Sequence, residues 1–246
     1  MKKSFIFSLR FVLGCTLLLA LSHSVYAAYG DMLKEFNFGV TEVKRDNTRD
    51  RVYAASPSRN SVKVIDSNSL EVIASIFTGS APVRMEISAD SSRLYVANSG
   101  SNAQGIAVVN LNTLTVERHI ATFSNPRDVA ISADGRLFVI LDREMRIYDE
   151  ATGNQIGEEY DTHSTPRFGV YSGNIESSPD KQRIYYYISG LSPSGWSMVN
   201  VTTNPFTVVN SGTWGSNGGG LALSADGEFI TFFSGSPLRG SQAGCR

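Results

Sequence analysis

The sequence predicts an all-β protein, a β-propeller of four-stranded antiparallel blades. Three observations predict this fold: a phrase that recurs at a nearly fixed spacing, short segments in which apolar residues alternate, and no stretch that sustains the 3.6-residue period of a helix. The phrase is most complete from Pro82 to Ile120. A repeat of just over forty residues that consists only of short strands is typical of propeller blades.

Each copy of the phrase contains an anchor motif, Ser-Ala-Asp or Ser-Pro-Asp. The motif begins at four serines, Ser88, Ser132, Ser178 and Ser224. Successive copies are therefore 44, 46 and 46 residues apart, and a degenerate first copy places Tyr53 42 residues before Tyr95. Because no further strand follows Phe233, the sequence predicts about four complete blades and half of a fifth, near the lower limit of the roughly four to eight blades of known propellers.

Four strands can be placed in each copy from the alternation of apolar residues and from turn residues. The first, innermost strand precedes the anchor motif, and the second follows it. The third ends in an Asp or Asn that begins a turn, at Asp66, Asn110, Asp149 and Asn200. The fourth is predicted at residues 71–76, 115–120, 154–159 and 207–210. An additional strand over residues 32–38 is predicted to complete the last blade.

The four aspartates of the anchor motifs are predicted to be turn residues and not metal ligands. Their identical place in every copy is what a shared hairpin requires, whereas a single site would need different residues. They are Asp90, Asp134, Asp180 and Asp226.

Residues 1–27 have the features of a secretory signal peptide, which makes the protein secreted or periplasmic. Lys2 and Lys3 form a positive start, residues 11–21 are an apolar run too short to span a bilayer, and Ala27 ends a small-residue cleavage site. Residues 28–235 then form the repeats and residues 236–246 a disordered tail. The alternative is a lipid anchor through Cys15, but Arg10 leaves too few apolar residues before that cysteine.

The net charge and the cysteine count limit which partners and which disulfides the chain can have. Without the signal peptide the chain has 19 basic and 23 acidic residues, a net charge of −4, which gives no signal for binding nucleic acid. Cys245 is then the only cysteine, so no intramolecular disulfide is available. No membrane span is predicted after cleavage, and the partner is an unknown protein or a small-molecule ligand.

The phrase Leu94-Tyr95-Val96-Ala97-Asn98, preceded by the anchor motif and by Pro82, resembles the repeat of YVTN-type, YncE-like β-propeller proteins. The resemblance covers about residues 33–233. It implies a seven-bladed, secreted or periplasmic propeller from a family mostly without assigned activity. This chain departs from that pattern by having too few blades.

Candidate site residues lie on the innermost strands, four and two positions before each anchor serine, where side chains approach the centre of a propeller. Arginines beside these strands and a histidine in a lengthened loop, residues 160–172, extend the set. The predicted ligand-binding residues are Arg84, Glu86, Arg127, Asp128, His163, Arg167, Asn174 and Glu176. Pairing of the acids with Arg84, Arg127 and Arg167 is the simpler interpretation, since buried charges are usually paired.

The sequence contains no nucleophile elbow, metalloprotease motif, phosphate-binding loop or paired-cysteine metal motif. It therefore favours a binding or interaction scaffold without a cofactor over an enzyme. The alternative is a metal-assisted lactone or ester hydrolase, because oxygen ligands suit a divalent cation. Its metal ligands would be Glu86, Asp128, Asn174 and Glu176. The incomplete last blade also predicts self-association through an open edge between Leu221 and Phe233.

Overall fold

The chain divides into two compact units, Met1–Asn37 and Phe38–Arg246. The computed structural model describes residues 32–101, 105–141, 144–156, 172–189, 194–203, 206–214, 218–224, 227 and 230–234. These ranges contain seventeen strands, one 3-10 turn at Pro57–Arg59 and no α-helix, as the sequence predicts. In the same ranges no helix is long and apolar enough to cross a membrane.

The strands form five consecutive antiparallel sheets, each built from neighbouring segments of the chain. Sheets 1, 2 and 4 have four strands, sheet 3 has three, and sheet 5 has two. Sheet 1 contains β1 (Glu42–Arg45), β2 (Arg51–Ser56), β3 (Ser61–Asp66) and β4 (Val72–Phe77). Sheet 2 contains β5 (Pro82–Ile87), β6 (Arg93–Asn98), β7 (Ile106–Asn110) and β8 (Thr115–Ile120). Sheet 3 contains β9 (Asp128–Ile131), β10 (Arg136–Ile140) and β11 (Met145–Asp149). Sheet 4 contains β12 (Ser172–Ser177), β13 (Arg183–Ser189), β14 (Ser194–Asn200) and β15 (Thr207–Trp214), and sheet 5 contains β16 (Gly218–Leu223) and β17 (Ile230–Ser234).

The hydrophobic core lies between consecutive sheets, because alternate residues of a strand point to opposite faces. On β6, Leu94 and Val96 pack against sheet 1, whereas Tyr95 and Ala97 pack against sheet 3. A third apolar cluster joins sheet 3 to sheet 4. Burying one such aliphatic side chain contributes roughly 1.5–3 kcal/mol. The face-to-face stack of sheets is the blade arrangement that the repeat predicts.

The anchor motifs form the turns between the first and second strands of their sheets. Ser132 Oγ donates to Asp134 at 2.5 Å and accepts a hydrogen bond from the Arg136 N–H at 3.1 Å. Ser88 with Asp90 and Ser178 with Asp180 repeat this arrangement. The three aspartates are therefore turn residues, as predicted, and Asp226 lies outside the described residues.

Arginines at the start of the second strand couple sheets 1, 2 and 3 to the sheet that follows each of them. Arg51 Nη1 donates to the Leu111 carbonyl at 3.0 Å, and Arg136 Nη2 donates to the Val201 carbonyl. Leu111 and Val201 both follow the third strand of the next sheet. Arg93 instead contacts a side chain, since its Nη1 lies 3.3 Å from Oε1 of Glu150, which follows the third strand of sheet 3. The recurring arginine therefore has a structural role.

Two strand predictions differ from the structure. The predicted strand over residues 32–38 is wrong, because these residues form no strand, and the first strand is β1 at Glu42–Arg45. The predicted strand at 154–159 is reduced, among its described residues 154–156, to a single bridge between Gln155 and Tyr148. The predicted signal peptide and tail lie outside the described residues.

Candidate functional site

The innermost strands bring charged side chains from four sheets together at the centre of the stack. Lys44 Nζ of β1 lies 2.5 Å from Glu176 Oε1 of β12, so this ion pair joins sheet 1 to sheet 4. Lys181 Nζ, in the turn after β12, lies 2.6 Å from Glu86 Oε1 of β5. We call this group the central cluster. Its upper layer is Glu42, Arg84, Asp128 and Asn174, and its lower layer is Lys44, Glu86, Glu176 and Lys181.

The lower layer is a network of ion pairs. Besides Glu176, Lys44 Nζ lies 4.0 Å from Glu86 Oε2 and 3.9 Å from Glu42 Oε1. Burial opposes the ionised form of Glu86, but Lys44 and Lys181 together lower the pKa of this carboxyl. Burial also opposes the charge of Lys44, but Glu86 and Glu176 raise the pKa of its ammonium group. Burial raises the pKa of Glu176 despite the nearby ammonium group.

The upper layer uses carboxyl groups to hold the next sheet. Glu42 Oε2 accepts a hydrogen bond from the Met85 N–H of sheet 2. Asp128 Oδ2 accepts one from the Ile175 N–H of sheet 4 at 3.0 Å, and its Oδ1 accepts one from its neighbour in sequence. Burial raises the pKa of Glu42 to about 8 and the pKa of Asp128 to about 7. These two carboxyls are therefore largely or partly protonated at neutral pH.

Arg84 is the cation of the upper layer. Its Nη1 lies 3.8 Å from Glu42 Oε1, and 35% of its side chain is exposed. In the lower layer, 27% of the Glu176 side chain is exposed. The central cluster therefore reaches solvent at these two side chains, while Glu86 and Asp128 are buried.

Five of the eight predicted ligand-binding residues lie in the central cluster: Arg84, Glu86, Asp128, Asn174 and Glu176. Arg127 lies one residue before β9 with an exposed side chain, and His163 and Arg167 lie outside the described residues. Among the described side chains, no three of His, Cys, Asp and Glu are grouped so that they could hold a metal ion. In the part of the chain that the structure describes, Glu176 pairs with Lys44 and Glu86 pairs with Lys181.

Sequence reasoning missed three members of the central cluster, Glu42, Lys44 and Lys181. The signal for the first two was present: the 42-residue offset that relates Tyr53 to Tyr95 also relates Glu42 to Arg84 and Lys44 to Glu86. It was obscured because Asp46 replaces the anchor serine of the first copy. Asp46 still forms the turn, since it accepts hydrogen bonds from the N–H groups of Thr48 and Arg49.

Comparison with known proteins supports the fold. No protein-family model matches the sequence, and no curated protein matches it significantly. Hydrazine synthase from Kuenenia stuttgartiensis superposes with a TM-score of 0.64 at 18% identity, over 83% of this chain and 58% of that one. A functionally unknown protein from Desulfotomaculum acetoxidans superposes with a TM-score of 0.64 at 16% identity, over 87% and 71%.

The β-propeller domain of Cps50 (Swd1) from Myceliophteria thermophila gives a TM-score of 0.64 at 10% identity, over 82% of this chain and 64% of that one. The chain thus spans less than two thirds of the hydrazine synthase and Cps50 chains. At these identities the similarity shows the fold alone. The protein has a β-propeller fold, in which the described residues form five blades, one with three strands and one with two.

Proposed function

We propose that this chain is a secreted or periplasmic binding propeller without catalytic activity, whose ligand contacts the central cluster. The observation that carries this proposal is the variation between sheets at positions that the repeat makes equivalent. The anchor serines and the arginines after them recur because each does the same structural task in its sheet. The upper-layer position, in contrast, holds Glu42, Arg84, Asp128 and Asn174 in successive sheets.

The chemistry of the cluster supports binding over catalysis. Each of its carboxyl groups faces a cation or a backbone N–H, as described above. The hydroxyl of Ser177, which lies 3.3 Å from Glu86 Oε2, donates to the Ile131 carbonyl at 2.9 Å and accepts from the Ile131 N–H at 3.0 Å. The one proton of this hydroxyl is donated to the closer of its two acceptors, the Ile131 carbonyl, so the hydroxyl serves the contact between sheets 3 and 4.

Thermal unfolding of the purified chain with a panel of small polar ligands tests the proposal. A ligand that binds only the folded state must raise the melting temperature. We expect at least one such ligand. We expect its effect to be lost in at least one of two cluster variants, Arg84→Gln or Glu176→Gln, and kept in Lys63→Met, a change on β3 away from the cluster. No stabilising ligand, or equal stabilisation of both cluster variants, would overturn the proposal.

The hydrolase alternative is tested with the same two proteins. It requires that Ca²⁺ or Zn²⁺ raise the melting temperature of the wild type and not of Glu176→Gln, and that the metal-loaded wild type cleave a lactone or ester. Stabilisation by a polar ligand without turnover in the presence of either ion favours the binding function.

The proposal also includes cleavage of the signal peptide during export and an evolutionary relationship to the YVTN-repeat propellers. Mass spectrometry of the protein recovered from an exporting host should show a mature chain that begins at Ala28, whereas an acylated N-terminus at Cys15 would show the lipid-anchored alternative. The Leu94–Asn98 phrase supports a relationship to the YVTN-repeat propellers. An alignment of this chain with members of that family tests the relationship, through the number of its copies that keep the phrase.

A further inference from the structure

Arg84 breaks the pattern of the upper layer. On β1 and β9 the equivalent side chains, Glu42 and Asp128, accept a hydrogen bond from a backbone N–H of the next sheet. A guanidinium has only donors and cannot do this. Among the described residues its ion-pair partner is Glu42 at 3.8 Å, which is beyond hydrogen-bonding distance. Arg84 therefore does not make the contact with the next sheet that Glu42 and Asp128 make from the same position.

The charge around Arg84 is not balanced near neutral pH. The nearest carboxyl, Glu42, has a pKa of about 8, and Asp128 has a pKa of about 7. Below pH 7 both are largely neutral, so neither supplies a full counter-charge to the guanidinium. In the lower layer, the carboxylates of Glu176 and Glu86 already face the ammonium groups of Lys44 and Lys181. The excess charge of the upper layer is therefore positive.

We propose that the guanidinium of the partly exposed Arg84 side chain, set between the carboxyls of Glu42 and Asp128, binds a carboxylate or phosphate group of a small ligand. This inference rests on the proposed binding function and names its ligand class. A guanidinium can donate two parallel hydrogen bonds to such an oxyanion. The protonated carboxyl of Glu42 can donate a further one, because a protonated acid has one O–H donor.

Binding of an anion here is linked to proton uptake. The groups that face Arg84 are Glu42 and Lys44 from β1, Glu86 from β5, Asp128 from β9, Asn174 and Glu176 from β12, and Lys181 from the turn after β12. An added negative charge favours the protonated forms of Glu42, Asp128 and Glu176. Glu86 remains ionised, because its pKa is already lowered. Affinity should therefore fall as the pH rises from about 6 to about 8.5.

Isothermal titration calorimetry of the purified chain with succinate, and separately with inorganic phosphate, tests this at constant ionic strength maintained with chloride. We expect saturable binding that weakens by about tenfold or more in Arg84→Gln and is unchanged in Arg45→Gln. Arg45 is a matched control, because it is an exposed arginine on the innermost strand β1. Binding of succinate alone would identify a carboxylate ligand, and binding of phosphate alone a phosphate ligand.

Three results would overturn the proposal: no binding of either anion, equal binding by Arg84→Gln, or tighter binding at the higher pH. Arg84→Lys serves as a second variant if Arg84→Gln fails to fold by circular dichroism. It keeps the charge but loses the paired donors, so it should bind with intermediate affinity. If putrescine or a neutral sugar stabilises the wild type but not Glu176→Gln while neither anion binds, the anion site is refuted and the binding function stands.

Discussion

Asp128 illustrates how one buried carboxyl makes the stability of the fold depend on pH. Its ordinary pKa of 3.8 is raised to about 7 in the folded protein, chiefly by burial. The folded state therefore binds this proton more tightly than the unfolded chain does. The resulting stability is fully present below about pH 4 and is lost as the pH rises through about 7. Glu42 acts in the same direction up to about pH 8.

We therefore expect the melting temperature of the wild type to fall between about pH 5 and about pH 8. Each unit by which folding raises the pKa of a group corresponds to about 1.4 kcal/mol of unfolding free energy. Asp128→Asn removes the titrating group but keeps an oxygen for the Ile175 N–H, so the fall should become shallower. Melting curves across this range check the prediction. An identical pH profile in the variant would show that Asp128 does not titrate there.

Lys44 is expected to be the most costly lysine to replace. In Lys44→Met, Glu176 and Glu86 lose an ammonium group 2.5 and 4.0 Å away while they stay largely buried. Removing one partner of a buried ion pair costs about 3–5 kcal/mol. Lys63→Met, a half-buried lysine of β3, should cost less than about 1 kcal/mol. Urea denaturation measures both, and equal losses would contradict the role of Lys44.

At the scale of the element, the turn between β9 and β10 depends on Ser132. This serine is buried and both donates to Asp134 and accepts from the Arg136 N–H. Ser132→Ala leaves that N–H without its acceptor, which should cost about 1–3 kcal/mol of unfolding free energy. Ser58→Ala, at an exposed serine of the 3-10 turn, should change stability by less than about 0.5 kcal/mol. Denaturant titration compares the two variants. An unchanged unfolding free energy in Ser132→Ala would show that the turn depends on Gly135 and not on the serine.

The elements that sequence reasoning located well are those whose inward faces are apolar. β8 was predicted at its observed residues, and the third strands end at Asp66, Asn110, Asp149 and Asn200 as predicted. β1 was missed because its central face carries Glu42 and Lys44, so apolar alternation does not mark it. Residues 32–38, in contrast, show an imperfect alternation of side chains, which predicted a strand there.

The central cluster was predicted in part for a related reason. The repeat shows which residues point to the centre, so Arg84, Glu86, Asp128, Asn174 and Glu176 could be found by counting. Which of them pair depends on how far the sheets turn around the centre, and no local pattern encodes that. Glu176 thus pairs with a lysine 132 residues away, a contact that only the packed sheets reveal.

At the scale of the whole molecule, sheet 1 exposes an apolar side chain at a position that the next three sheets bury. Val43 is 57% exposed, whereas Met85, Val129 and Ile175, at the same position of sheets 2, 3 and 4, are at most 2% exposed. Each of these three packs against the preceding sheet. The described residues preceding β1 form no such sheet. The face of sheet 1 that carries Val43 is therefore a second candidate surface for association, besides the edge of sheet 5.

We expect the purified chain to self-associate at micromolar concentration, because uncovered apolar strands pair or pack with other chains. Val43→Lys should reduce the association if the face of sheet 1 is responsible. Thr231→Lys, an exposed position on β17, should reduce it if the edge of sheet 5 is responsible. Light scattering measures the mass of all three proteins. A monomeric wild type with one cooperative melting transition would contradict the prediction.

The ion pair between Lys44 and Glu176 has a consequence for folding kinetics. Without this contact and those that Glu86 makes with Lys181 and Ser177, a stack held together by contacts between neighbouring sheets could assemble from any point and unravel gradually from either end. The pair joins residues 132 apart in sequence, and closing so long a loop has a large entropic cost. It should therefore form late, so Lys44→Met should accelerate unfolding and leave the refolding rate unchanged in stopped-flow experiments. Until the ion pair between Lys44 and Glu176 forms, the first and fourth sheets of a newly made chain are not held together. We expect the nascent protein to be most susceptible to proteases in that interval.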